Sequence, residues 1–438
     1  MRILSITAGA AGMYCGSCFR DNALAAELIA QGHDVTLIPV YTPTLTDEEN
    51  VSKATVLFGG ISVYLQQRSA LFRKLPRVMD RMWDSPRVIN AFAGRGVSAD
   101  ARTLGELTIS MLEGERGVLR KEFEKLIDWT RDEPRPDVIN LPNSLLISMA
   151  APLRAAFGRP VCCTLQGEEL FLDSLLPAYR ERALTMIRAQ VASIDRFIAV
   201  SDYCATFMTD FLEIPPDRIA VVPLGISVKG YTRRERALSP VAPASPRPFR
   251  VGYFARVAPE KGLHLLAEAY VRLRRRTAGT PMSLDIAGYM APSYADYLTE
   301  ARHTLDRAGF GGEFTYHGVI DRAGKLRFLS ELDVLSVPAT YDEPKGMFLL
   351  EAMAAGVPVV QPRRGAFIEV VERTHGGILV TPDDPDALAD GLRALSADPL
   401  HAAQLGAAAY DGVRAHYTIQ QSAGRLLDVY GALRSKAA

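Results

Sequence analysis

Short β-branched and apolar runs alternate with longer stretches of helical spacing along most of the chain. "RILSIT" leads into the small-residue loop "AGAAGMYCGSC", then "FRDNALAAELIAQG" with its apolar residues three and four apart, then "HDVTLIPVY". "PDVINL", "PVCCTL", "RFIAVS" and "IAVVPLG" continue the series, with helical segments between them. Runs of this length, bounded by Gly, Pro and Asp, predict buried strands. Their alternation with helices predicts a parallel sheet covered on both faces. The pattern breaks at "SVKGYTRRERALSPVAPASPRP", where Pro240, Pro243, Pro246 and Pro248 mark a linker over 229–247. It restarts with "FRVGYFARV" and runs through "MSLDIAGY", "EFTYHG", "DVLSVPA", "VPVVQP" and "GGILV". The prediction is an α/β protein of two doubly wound domains, 1–228 and 248–417, facing each other across a cleft. The final helix, 418–438, lies beyond the second sheet and is a candidate to pack back on the first domain.

Composition narrows the function classes. At 438 residues the chain is too long for one ordinary core, which agrees with two domains. Fifty basic and fifty acidic residues balance, so a dedicated nucleic-acid binder is not expected. Five cysteines and seven histidines are too few for a disulfide scaffold. No apolar run approaches the ~20 residues that span a bilayer, and the apolar part of "MRILSITAGAAG" is too short for a secretory leader. A cytoplasmic protein is expected. Between Val51 and Arg131 the pattern is weakest. There "RSALFRKLPRVMDRMW", residues 68–83, sets Leu71, Leu75, Val78, Met79 and Met82 near helical spacing among Arg68, Arg73, Lys74, Arg77 and Arg81. Such a helix can rest on the anionic inner face of a membrane as a peripheral contact, or pack on the first domain with a solvated basic face; Pro76 interrupts either.

Candidate chemistry concentrates in the second domain. In "YDEPKGMFLLEAMAAGVPVV", Glu343 precedes Pro344 and is therefore held extended, while "GMFLLEAMAAG" predicts a helix ending at Gly356. Glu351 falls between one and two turns into that helix. The first amides, those of Gly346, Met347 and Phe348, form a candidate anion cradle at its N-terminus. Two acceptors bracketing such a cradle suit a ligand with hydroxyls and phosphates; an acid at a helix start and a solvated helix glutamate is the other reading. Upstream, in "VGYFARVAPEKGLHLL", Arg256 ends a strand and Lys261 opens the next helix, an offset that can aim two cations at one point beyond the sheet.

Taken together, the R-x4-K pair, the E-x7-E spacing, "GHDVTLIP", "VVPLGIS", "DVLSVPA" and "GGILVTPDDPDAL" resemble the family 4 retaining glycosyltransferases of the GT-B fold, built of two Rossmann-like domains. The resemblance covers most of the chain and is strongest over Val251–Leu388. It implies metal-independent transfer of a sugar from a nucleotide-diphosphate sugar to an acceptor it leaves unidentified, with no cofactor. It further implies that Arg256 and Lys261 hold the donor diphosphate and that Glu351 accepts from the ribose hydroxyls. Glu343 would stand at the donor sugar and act in catalysis with Arg256 and Lys261. The amides of Gly346, Met347 and Phe348 would lie on sugar and phosphate, and Gly12 and Gly16 in the first loop near the donor.

The chain also departs from the family pattern. Where members often carry a first-domain histidine near the reacting sugar, "CCTLQGEEL" has Gln166, which cannot titrate. Gln166 and Glu168 are candidate acceptor or sugar contacts, with Glu169 a further substitute acid. The first loop carries Cys15-x-x-Cys18, a candidate thiol site or acceptor contact, or simply a tight loop of small side chains; no further Cys or His pair completes a metal site. Gly9, Gly12 and Gly16 do not form G-x-G-x-x-G, so a dinucleotide is not expected. Asp384-x-Asp386 spells a metal-binding D-x-D, but its place before "ALADGLRAL" predicts a helix cap, and no metal is expected. An epimerase-type nucleotide-sugar enzyme would need titratable groups over the sugar, and a non-catalytic sensor would not need all of Arg256, Lys261, Glu343 and Glu351. Both remain as alternatives.

Overall fold

Every predicted strand is a strand. The computed structural model describes residues 1–9, 15–58, 63, 101–233 and 247–437. Gly12, the stretch 68–83 and linker residues 234–246 lie outside these residues. The first sheet contains β1 (Arg2–Thr7), β2 (Asp34–Pro39), β3 (Val138–Leu141), β4 (Val161–Leu165), β5 (Arg196–Ala199) and β6 (Ile219–Val221) in the order β2-β1-β3-β4-β5-β6. The second contains β7 (Phe249–Phe254), β8 (Met282–Ala287), β9 (Phe314–Tyr316), β10 (Val334–Leu335), β11 (Val359–Pro362) and β12 (Gly377–Val380) in the order β12-β11-β10-β7-β8-β9. All pairings are parallel.

The unbroken apolar runs follow from burial on both faces. Along β1, Ile3 packs into one layer and Leu4 into the other; Val138 and Ile139 divide the same way on β3, as do Cys162 and Cys163 on β4. Alternation of this kind is the period-2 geometry of a strand with no face left to water. It also points the two neighbouring cysteines to opposite sides of the sheet. Both are free thiols.

The chain divides into two compact units, Met1–Leu224 with Ile419–Ala438, and Gly225–Thr418. The helix Ile419–Ala437 thus belongs to the first unit. Ile419, Ala423, Leu426, Tyr430 and Leu433, three or four apart, pack with Ile3, Leu24, Leu28, Val138 and Ile198 on one face of the first sheet. Among the described residues no helix is long and apolar enough to cross a membrane.

The strand orders mark the places where folds of this kind bind ligands. Counted from β9, the second sheet runs 3-2-1-4-5-6, so the connections reverse direction between β7 and β10. In the first sheet the reversal lies between β1 and β3. At such a reversal the flanking helices go to opposite faces, and the loops leaving the two strands part to form a crevice at their carboxyl ends.

Candidate active site

In the second unit the crevice lies beyond β7 and β10, whose following segments carry the predicted residues. Beyond β7, Arg256 is exposed and pairs with Glu260 at 3.0 Å. Pro259–Lys261 forms a single 3-10 turn that ends at Gly262, whose φ is +72°. A Cβ at Gly262 would lie 1.9 Å from the Pro338 carbonyl oxygen, so only glycine lets this turn lie so close to the segment after β10. That contact brings Lys261 against the second carboxylate. Lys261 Nζ donates to Glu343 Oε2 and, at 2.6 Å, to the hydroxyl of Tyr341, which itself donates to Glu343 Oε2 at 2.5 Å. The ammonium also stands 4.9 Å from the Tyr341 ring centre and 5.5 Å from that of Phe348.

Glu343 is held from behind. Its carbonyl accepts from Ala366 N at 2.8 Å, and its Oε1 faces the amides of Lys345 and Gly346 at 3.3 and 3.5 Å. The helix beyond them is Met347–Ala354, and the amides of Leu349 and Leu350 close its first turn onto the Gly346 carbonyl. The predicted anion cradle is therefore at the helix start, with the chain's own carboxylate facing its first amide. Burial alone would raise Glu343, but the Lys261 ammonium, and behind it Lys345, hold it at about 2. An acid held this low stabilises the fold fully above the ordinary carboxylate value, near 4.5, and loses that contribution as pH falls toward 2. The stability gap between wild type and Glu343→Gln, read from urea titrations, should therefore shrink by roughly 3 kcal/mol over that window. A gap that stays constant across it would contradict the assignment.

Glu351 is neither solvated nor free. It is buried in the helix, and its Oε1 accepts from Lys325 Nζ at 2.7 Å and from the Tyr231 hydroxyl at 3.4 Å. Lys325 is only 4% exposed, and Arg322 on the same helix lies over the Tyr231 ring at 4.8 Å. Two glutamates eight apart in sequence thus each sit against a buried lysine from a different segment. The D-x-D acids serve elsewhere: Asp384 caps the helix Pro385–Ala397 through the amides of Asp386 and Ala387, at 2.9 and 3.0 Å, and Asp386 pairs with Arg272. Among the described residues no group of three or more His, Cys, Asp or Glu is arranged to hold a metal.

In the first unit, Gln166 follows β4 and is buried. Its amide nitrogen donates to Asp21 Oδ1 at 3.2 Å and to the Pro142 carbonyl at 3.0 Å. Glu168 is a brace: its two oxygens accept from the backbone amides of Ser144 and Gln166, at 2.9 and 2.8 Å, tying the loops after β3 and β4 together. Glu169 begins the short helix Glu169–Asp173. Cys15 is half-buried and Cys18 buried; a side-chain hydrogen bond with Cys15, then burial, push the Cys18 thiol up, the opposite of an activated thiolate. Gly16 opens the helix Gly16–Ala30, and a Cβ there would meet nothing within 4 Å among the described residues. Burial raises Asp21, against the pull of Arg20 beside it at 3.1 Å.

Tyr341, Lys325, Tyr231 and Asp21 escaped the sequence reading. Tyr341 had a signal, since residues two apart in an extended segment share a side. Lys325 had another: with Phe328 and Leu329 it occupies the buried stripe of the helix Arg322–Glu331.

Residues 22–225 match the family described as Glycosyl transferase 4-like domain, and residues 236–412 match Glycosyl transferases group 1. The chain belongs to the family 4 glycosyltransferases. Among its relatives in that family, a glycogen synthase of Mycobacterium tuberculosis is 28% identical over 302 residues, 68% of this chain and 69% of the relative. A D-inositol 3-phosphate glycosyltransferase of Stackebrandtia nassauensis is 28% identical over 246 residues, 55% of each chain. In three dimensions this glycosyltransferase is similar to the sucrose-phosphate synthase of Thermosynechococcus elongatus, with TM-score 0.70, 19% identity and 99% of both chains covered. Anabaena HepE, solved with UDP and glucose, gives TM-score 0.65 at 17% identity, covering 99% of this chain and all of the other. Both have the GT-B fold of two Rossmann-like domains.

Proposed function

We propose that this glycosyltransferase takes a nucleotide-diphosphate sugar as donor and transfers the sugar with retention of anomeric configuration and without a metal. The observation that carries the reading is the buried Lys261–Tyr341–Glu343 cluster at the β7/β10 reversal, beside a helix N-terminus. Lys261 and Arg256 supply positive charge where a donor diphosphate would lie, doing the work a divalent cation does in other transferases. As the bond between the anomeric carbon and the diphosphate oxygen breaks, negative charge builds on that oxygen, and a fixed ammonium in a dry site stabilises it. The acceptor oxygen bonds to the same carbon, and its proton passes to the departing diphosphate, so no titratable side chain is needed at Gln166. Glu343, held ionised, accepts from hydroxyls of the transferred sugar, and Glu351 from the ribose. The glycogen synthase and inositol phosphate relatives and the UDP in HepE support a hexose nucleotide as the donor class.

A thermal-shift panel of UDP-, GDP- and ADP-glucose and -mannose tests the donor. A true donor at ~100 times its dissociation constant adds about 2.7 kcal/mol of stability, and no shift with any of them would refute the reading. With the donor in hand, turnover should survive EDTA and gain little from magnesium or manganese, and NMR should show the donor's anomeric configuration in the product. Complete loss on chelation that one metal restores would remove the charge role of Arg256 and Lys261, and an inverted product would remove retention.

A further inference from the structure

The helix after β1 starts on a dithiol that the proposed transfer does not use. Cys15 is the N-cap of Gly16–Ala30, with extended backbone (φ −113°, ψ 118°), and its carbonyl accepts from Phe19 N at 3.0 Å. Cys18 is the third residue of the helix. The N-cap and the third helical position are the two whose side chains turn toward each other in a capping box. Here both are cysteines, and a side-chain hydrogen bond joins them. Neither is in a disulfide. Residues three apart in a helical turn are neighbours, within the ~4.4–6.8 Å that separates the Cα atoms of a disulfide, so closing one takes side-chain rotation and no refolding. The surrounding fold is a βαβ unit, with β1 and β2 paired in parallel and this helix connecting them. A C-x-x-C in such a unit is the pattern of a redox pair.

The two sulfurs differ in the way thiol–disulfide exchange needs. Cys18 is 1% exposed, whereas Cys15 is the one cysteine of the five that is not buried. Cys15 also stands at the positive end of the helix dipole, where negative charge is favoured. A reagent therefore meets Cys15 first. The bond to Cys15, then burial, keep the Cys18 thiol protonated, so it acts only once Cys15 has been converted. Asp21, buried one turn further along the same helix, acts by its charge on the Cys18 thiol and feels that of Cys15, so it stands to take a proton from the pair. We infer that Cys15 and Cys18 are a redox couple, closed to a disulfide by small-molecule disulfides and reopened by small thiols. The Cys15 thiolate attacks one sulfur of R–S–S–R, that S–S bond breaks, and the first R–S⁻ leaves with the Cys15 proton as R–SH. Cys18 then gives its proton to Asp21 and attacks the Cys15 sulfur. The second R–S⁻ leaves and takes that proton on. Two protein thiols lose two electrons and two protons, and one small disulfide becomes two thiols.

The test incubates the reduced full chain with glutathione disulfide, removes the reagent, and counts thiols after unfolding in acid. Expected is the loss of two of the five thiols, no bound glutathione, a Cys15–Cys18 cross-link in the peptide map, and full recovery with dithiothreitol. Cys18→Ser should stop with one glutathione on Cys15, and Cys15→Ser should keep every thiol it has left. Asp21→Asn should take up glutathione on Cys15 at the wild-type rate but close the disulfide roughly tenfold or more slowly. Wild type that keeps all five thiols, holds glutathione without closing, or cross-links other cysteines overturns the inference. The wild-type peptide map needs no variant, so it decides the matter even where a substitution prevents folding. Closure in Asp21→Asn at the wild-type rate overturns the proton's route through Asp21. None of these readouts involves sugar transfer, so a failure of the donor reading leaves them standing.

Discussion

Turnover in Lys261→Met should fall at least a hundredfold, and the variant should also be less stable by about 3–5 kcal/mol. The two losses have different origins. Stability falls because Glu343, 3% exposed, is left buried in a site built around the ammonium that has gone. Breaking one side of a buried pair leaves the full desolvation cost of the other, which is larger than the net worth of the pair. Turnover falls because the buried ammonium proposed to meet charge on the departing diphosphate has gone, which leaves that work to the exposed Arg256. The double variant Lys261→Met/Glu343→Gln separates them, since it removes both charges. Its urea midpoint should return most of the way to wild type while its turnover stays low. If the double variant recovers turnover along with stability, Lys261 serves the fold alone and the diphosphate must be met elsewhere.

How much of this was legible in the sequence depended on how local each signal was. The twelve strands among the described residues could be read because a strand buried on both faces is an unbroken apolar run, and turn residues bound each one. Lys261 and Glu343 could be named as candidate site residues from local context, Lys261 because it opens the element after a strand and Glu343 because it precedes Pro344 at a helix start. Their direct pairing could not be read. It joins residues 82 apart, and depends on the turn at Gly262 fitting under Pro338. Glu351 shows the same limit more sharply. In the sequence it is one acid in an apolar helix, equally suited to solvent or to a ligand. Its partner Lys325 lies on the buried stripe of another helix, 26 residues away in sequence, and no local signal links the two. Gln166 was visible only as a departure from a family pattern. Asp21, which fixes it, is 145 residues away and gave no signal.

The Glu351–Lys325 pair yields the second large effect, because a ribose contact and a structural ion pair predict different behaviour once both charges are removed. Lys325 and Tyr231 occupy Oε1, so under the proposed ribose role Oε2 is the oxygen that meets the hydroxyls. Glu351→Gln should then weaken the free nucleoside diphosphate and the full donor by the same factor, about 10- to 100-fold for a hydrogen bond to a charged acceptor. The loss should appear in KM with kcat nearly unchanged, because ribose contacts are equal in ground and transition states. Lys325→Met should weaken nucleotide as well and destabilise the unit by several kcal/mol, since it leaves Glu351 buried without its counter-charge. Those single variants alone do not separate the roles, because a destabilised helix Met347–Ala354 could also disturb the neighbouring site. The double variant Glu351→Gln/Lys325→Met does separate them. With both charges gone its stability should recover, and calorimetry then reads the ribose contact by itself. A purely structural pair predicts that nucleotide affinity recovers with stability. A ribose contact predicts that affinity stays as weak as in Glu351→Gln, because the neutral amide that replaces the carboxylate remains a poorer acceptor however well the helix is folded.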